Sequence, residues 1–224
     1  MKVKKLLCMG IITLAAFVFW TILIQTIDVQ PVGINETDVG FATLNSRFHR
    51  LTGVNMSIYY ITDWLGLLPL LCCMIFGGIG LVQLFKRKSL FKVDYDIIAL
   101  GLYYLIVISG YLFFEVVPIN YRPVLIDGRM ESSYPSSTTL LVLSVMLTVI
   151  FQVHRRMKKP VVRKIILSAV VLFSLFMITG RTIAGVHWLT DIIGSLFFSV
   201  GLFLIYCGIV CHIDKNQEVY RGIQ

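Results

Sequence analysis

Charge is scarce in this chain. Only 14% of its 224 residues are Asp, Glu, Lys or Arg, where soluble domains carry about 25%. With 57% hydrophobic residues and a mean hydropathy of +0.84, an ordinary soluble fold is excluded and a membrane protein is expected. The polar loops hold no cysteine: Cys8, Cys72, Cys73, Cys207 and Cys211 all lie in or beside apolar runs, so no disulfide framework is implied. Cys207, Cys211 and His212 have helical metal-like spacing, but cysteine is a common small filler in apolar helices, and we read these residues as packing. The basic start before the first apolar run leaves a signal peptide possible in principle, but the run is long and no small-x-small cleavage site closes it, so a retained first span is expected. Internal repeats and low-complexity linkers are also missing, so residues 1–224 are read as one membrane domain. The formal net charge of +8 comes in short basic bursts between apolar runs, a pattern of membrane topology that gives no support to a nucleic-acid partner.

What is present is a series of apolar stretches near 6–25, 64–85, 97–114, 138–153, 165–180 and 191–211. A span needs about 20 residues, so the expected fold is all-α, a polytopic bundle of about six transmembrane helices. All but five of the 20 lysines and arginines fall on one side of the bilayer in this scheme. By the positive-inside rule both termini are cytoplasmic, and segments 26–63, 115–137 and 181–190 meet on the opposite side. The five exceptions there, Arg47, Arg50, Arg122, Arg129 and Arg181, need a reason other than topology. Asp63-Trp64 is read as the membrane boundary of the second span.

The richest of these segments runs from Arg181 to Asp191. His187 and Asp191 are four apart, so a helix beginning a few residues early would let the carboxylate reach an imidazole nitrogen. That contact fixes the tautomer and leaves the other nitrogen as base or nucleophile. Arg181 offers a planar fork for phosphate or carboxylate oxygens. The bland alternative makes Asp191 a helix cap and Arg181 and Trp188 interfacial anchors. In the loop before the fourth span, Pro135-Ser136-Ser137 is a good helix start, with hydroxyls able to cap and backbone N–H groups that suit an anion. Arg122 precedes it on the same side.

Together these residues resemble the type-2 phosphatidic acid phosphatase superfamily over about 97–211. That family's pattern is a lysine, six residues and Arg-Pro; then Pro-Ser-Gly-His; then Arg, five residues, His, three residues and Asp. Arg181, His187 and Asp191 match the third element in full, Arg122-Pro123 the end of the first and Pro135-Ser136 the start of the second. Glu115 stands at the lysine position, Ser137 at the glycine and Thr138 at the histidine. The resemblance implies that His187 attacks phosphorus to form a phosphohistidine while Asp191 orients the ring. Arg122, Arg181, Ser136 and Ser137 would hold the phosphoryl oxygens. It implies no metal and no cofactor, only a lipid phosphate or diphosphate substrate and membrane lipids as partners.

The histidine missing at Thr138 is the family's general acid, a contribution of roughly 10²–10⁴-fold. Glu131 or His49 are the candidate substitutes. An alkoxide is a poor leaving group, comparable to hydroxide from water with a pKa of about 15.7, whereas a phosphate monoester has a second pKa of about 6. The expected activity is therefore removal of phosphate from a lipid phosphate, with an isoprenoid diphosphate favoured. It would take place at the outward face of a plasma-membrane protein. The alternatives are a degenerate relative that binds or translocates lipid phosphates and a phosphotransferase with an alcohol acceptor.

Overall fold

The computed structural model describes residues 2–221; Met1 and 222–224, at the ends of the expected domain, lie outside them. The described residues form eight α-helices: α1 (Lys2–Thr26), α2 (Ala42–Thr52), α3 (Met56–Leu65), α4 (Leu67–Arg87), α5 (Tyr95–Val116), α6 (Ser137–Arg156), α7 (Pro160–Ile183) and α8 (Leu189–Arg221). Six segments are long and apolar enough to cross a membrane: Val3–Thr26, Met56–Arg87, Tyr95–Val116, Ser137–Arg156, Pro160–Ile183 and Leu189–Gln217. The protein is an all-helical integral membrane bundle. An even number of spans returns both chain ends to one face and gathers the segments around α2, 117–136 and 184–188 at the other.

The second span differs most from the sequence reading. It begins at Met56 rather than near residue 64, because Asn55 caps α3 by accepting from Ile58 N at 3.1 Å. Pro69 lacks an N–H and its ring crowds the carbonyl of Leu65, which is where α3 stops and α4 begins across Gly66. Asp63 is consequently inside the span and not at its edge.

α6 is the most enclosed span, while α4 and α7 turn most of their apolar surface outward, as lipid-facing helices do. α8 lies along α1 and against α6 and α5, and α7 packs on α6 and α3. Apolar side chains gain little by leaving lipid for protein, so close packing and interhelical hydrogen bonds specify the bundle. Tyr103 donates to the Ser144 carbonyl at 3.0 Å, Tyr104 and Thr148 share a 2.8 Å bond, and Gln152 donates to Tyr206 at 2.7 Å. At the face carrying the chain ends, Arg156 grips Asp96 at 2.7 Å and Arg155 reaches Asp214 at 2.6 Å, tying α5, α6 and α8 together.

Glycine lets α1 and α8 approach closely. A Cβ at Gly10 would lie 2.7 Å from Ile205 Cγ1 and 3.1 Å from the Gly201 carbonyl, whereas one at Gly78 would meet nothing within 4 Å. Gly10→Leu is therefore expected to destabilise the protein by about 1–3 kcal/mol, the usual cost of overpacking. Gly78→Leu should leave stability close to wild type. Thermal unfolding in detergent checks the pair, and equal effects would contradict the packing argument.

Candidate active site

Two buried arginines form the floor of the site. Arg181, in the last turn of α7, is 1% exposed and Arg122, in the loop between α5 and α6, is 8% exposed. Both guanidinium groups lie over the ring of Tyr59 from α3, with centroid distances of 4.9 Å for Arg181 and 5.9 Å for Arg122. Backbone pairing holds Arg122 in register: its N–H donates to the Glu131 carbonyl at 3.1 Å, and its Nη2 meets the Glu131 carboxylate at 3.2 Å. Arg181 Nη1 is 3.7 Å from Asp63 and 3.5 Å from Thr62 Oγ1. These partners leave Arg122 Nε and Nη1 and Arg181 Nε buried without an acceptor among the described residues. Buried charged donors are costly unless paired, so the unfilled N–H groups define a receptor for an anion.

His187 stands beside that receptor. It lies in the α7–α8 turn, whose path depends on Gly185: this residue has φ +69°, and a Cβ there would sit 1.9 Å from the Gly53 carbonyl. His187 Nε2 is 3.4 Å from Arg181 Nη2, and Nδ1 is 3.1 Å from the Ser133 carbonyl. A carbonyl can only accept and a guanidinium only donate, so the proton is assigned to Nδ1 and the lone pair to Nε2. The nitrogen with the free lone pair thus faces Arg181. Burial holds the imidazole well below its ordinary pKa, and the charges of Arg122 and Arg181 push it further down, against a smaller opposing effect of the Ser133 bond. Only a neutral imidazole has a lone pair that can act as base or nucleophile.

Asp191 reaches the histidine differently from the expectation. Its Oδ2 is 3.8 Å from Nδ1, beyond a hydrogen bond, and Ser133 stands between: the Ser133 hydroxyl donates to Asp191 Oδ2 and lies 3.2 Å from Nδ1. α8 starts at Leu189, too late to put His187 on its first turn. The Asp191 carboxylate also accepts from Trp188 N at 2.8 Å and faces Asn120 Nδ2 at 3.5 Å. One side chain therefore caps α8 and serves the histidine through a serine, joining the two readings that the sequence left open.

The remaining candidates fall into place unevenly. Ser136 is fully buried, but its hydroxyl donates to Thr139 Oγ1 at 3.0 Å and caps no N–H group; its own N–H meets the Asp191 carbonyl at 3.3 Å. Ser137 opens α6 and lines the mouth of a groove beside the site. Glu131 is engaged with Arg122. His49 Nε2 meets the Gly185 carbonyl at 3.1 Å and its ring leans on Trp188, so it braces the histidine turn from behind. Glu115 accepts from Ser132 Oγ at 2.8 Å, not from an arginine. The sequence reading missed Tyr59, Thr62, Asp63, Asn120 and Ser133. A signal for the first three existed, since i, i+3 and i+4 share one face of an apolar helix.

The structure is a helical membrane bundle with two buried arginines, unfilled N–H groups and an oriented histidine at one end. The family model described as the PAP2 superfamily matches residues 108–212, the segment that carries Arg122, His187 and Asp191. Over that segment, a little under half of the chain, the sequence is similar to the PAP2 superfamily. Its fold is similar to the crystal structure of a transmembrane PAP2 type phosphatidylglycerolphosphate phosphatase from Bacillus subtilis. The TM-score is 0.57 at 16% identity, over 92% of this chain and 96% of that one. Among curated proteins no sequence match is found.

The depressed His187 pKa gives a stability prediction. In the unfolded chain the imidazole takes a proton below about 6.5, which the folded site refuses. The unfolded state then binds more protons, so stability is lost as the pH is lowered. Between pH 6.5 and 5.5 wild type should lose about 1 kcal/mol more than His187→Gln, measured by denaturant unfolding in detergent. Parallel curves for the two proteins would show the ring to be protonated in the folded state.

Proposed function

We propose that this protein is a membrane phosphohydrolase that removes phosphate from a lipid phosphate or isoprenoid diphosphate at the extracytoplasmic face. The observation that carries the reading is the set of unfilled Arg122 and Arg181 N–H groups beside His187 Nε2. Phosphoryl transfer depends mainly on positioning and on neutralising charge spread over equatorial oxygens. Two guanidinium forks in a water-poor site meet that need. His187 Nε2 attacks phosphorus, the bond to the leaving oxygen breaks, and a phosphohistidine forms. Positive charge developing on the ring is met at Nδ1 by the Ser133 carbonyl and, through the Ser133 hydroxyl, by Asp191. Water then attacks phosphorus, releasing phosphate and restoring the neutral imidazole.

The substrate class follows from what surrounds the receptor. A groove of about 410 Å³ lined by Leu67, Leu70, Ile108 and Leu112 opens beside Ser137 and Thr138, and its apolar walls suit a lipid chain. The structural neighbour is named for a lipid phosphate monoester, the same broad class. Thr138 holds no transferable proton at ordinary pH, which favours a diphosphate whose departing monoester is a good leaving group. The outward position of the site rests on the basic residues gathered at the opposite face.

Phosphate release by the purified protein should be faster with a long isoprenoid diphosphate than with phosphatidic acid, and His187→Ala should abolish both. Brief incubation with labelled substrate should leave an acid-labile phosphoryl group on wild type and none on the variant. A faster rate on phosphatidic acid would overturn the leaving-group argument. Bound substrate without release would favour a binding or translocating relative, to which Glu115 and Thr138 already lend support.

A further inference from the structure

We propose that Asp63 is a catalytic residue of this site, the proton donor to the leaving group in place of the missing histidine. This rests on the phosphohydrolase reading and adds to it a residue from α3, outside the segment matched by the family model. The argument begins with position. Asp63 lines the groove together with Ser137 and Thr138, and a Cβ at Gly66 would lie 3.6 Å from Thr138 Cγ2. The α3–α4 junction is thus packed against the residue that stands where the resemblance has its acid.

Accessibility agrees. The Asp63 side chain is 55% exposed while its neighbour Arg181 is 1% exposed, so the carboxylate faces the mouth and the cation lies behind it. Their 3.7 Å separation is a loose ion pair, and Asp63 accepts no side-chain hydrogen bond among the described residues. Its oxygens are free for substrate. The other candidates are committed: Glu131 to Arg122, Glu115 to Ser132, and His49 to the Gly185 carbonyl.

The geometry also sets nucleophile against acid. Arg181 Nη2 faces His187 Nε2, and Nη1 of the same guanidinium faces Asp63. A phosphoryl group held by this arginine would have the attacking nitrogen near one end of the guanidinium and the carboxyl near the other, an order compatible with in-line displacement. The lipid leaves toward the groove, which is the Asp63 side. A phosphate monoester has a second pKa of about 6, so substrate bound as the monoanion brings a proton into the site, and the Asp63 carboxylate relays it from a non-bridging oxygen toward the leaving oxygen. As the P–N bond forms and the P–O bond breaks, Asp63 returns that proton to the bridging oxygen, which departs as an alcohol or as a phosphate monoester. In the second step the Asp63 carboxylate takes a proton from water as its oxygen attacks phosphorus and the P–N bond breaks. Protons and charge balance over the two steps.

The test compares Asp63→Asn, Asp63→Glu and wild type on three substrates of differing leaving group: phosphatidic acid, a long isoprenoid diphosphate and an aryl phosphate. Asp63→Asn should lose about 10²-fold or more on phosphatidic acid, much less on the diphosphate and under about threefold on the aryl phosphate. Asp63→Glu should recover part of the loss. The phosphorylated His187 should persist longer in Asp63→Asn, because its hydrolysis lacks a base. Equal losses on all three substrates would make Asp63 a structural partner of Arg181 and overturn the proposal, as would no loss on phosphatidic acid. Wild type supplies a measurement independent of variant folding: turnover across substituted aryl and alkyl phosphates should depend weakly on leaving-group pKa, and a steep dependence would overturn the proton donor. Absence of any His187-dependent release from wild type is a different failure, that of the phosphohydrolase reading itself.

Discussion

Two guanidinium groups inside an apolar bundle are the constraint on which this structure turns. Arg122 and Arg181 come from separate parts of the chain, and burial of either without partners would be costly. The structure meets the cost in parts: the Tyr59 ring beneath both, Glu131 on one and Asp63 on the other. It does not meet it fully. The residual N–H groups are suited to an anion, and burial, aided by the same two positive charges, keeps the His187 imidazole neutral beside them. The proposed binding and nucleophilic roles therefore draw on the same buried, positively charged surroundings.

Ser133 and Asp191 show how few residues hold such a site in place. Asp191 closes the first turn of α8 through Trp188 N, and the same carboxylate takes the Ser133 hydroxyl. Ser133 in turn fixes Nδ1 of His187 through its carbonyl and is pinned by its own N–H to the Asn120 carbonyl at 2.8 Å. The loop that carries Arg122 is thus stitched to the helix that carries Asp191. Loss of either residue would disturb both fold and chemistry, and only a readout sensitive to the histidine separates the two effects.

The first outer segment shows where function and scaffold meet. α2 places Asn45, buried, on Thr190 at 3.0 Å, and its C-terminal end lies against Gly185. α3 contributes the aromatic platform and two polar groups against Arg181. Apart from the shared helix face of Tyr59, Thr62 and Asp63, the sequence of residues 26–63 did not show these partners. Their roles depend on pairings between residues more than 100 positions apart, and sequence spacing carries no information about such pairs.

The sequence by itself determined the membrane class, the six spans and the loops that meet at one end, because apolar length and period are local properties that lipid enforces. It also determined the set of Arg122, Arg181, His187 and Asp191, since charged residues in apolar chain stand out without any structure. Tertiary structure alone decided how they connect. It put Ser133 between His187 and Asp191, turned the Ser136 hydroxyl into the helix start, moved Asp63 from the membrane edge to the arginine, and held His49 behind the histidine turn. The reason is physical: hydrogen bonds and ion pairs are set by distances of a few tenths of an ångström, and those distances arise only after distant helices have packed.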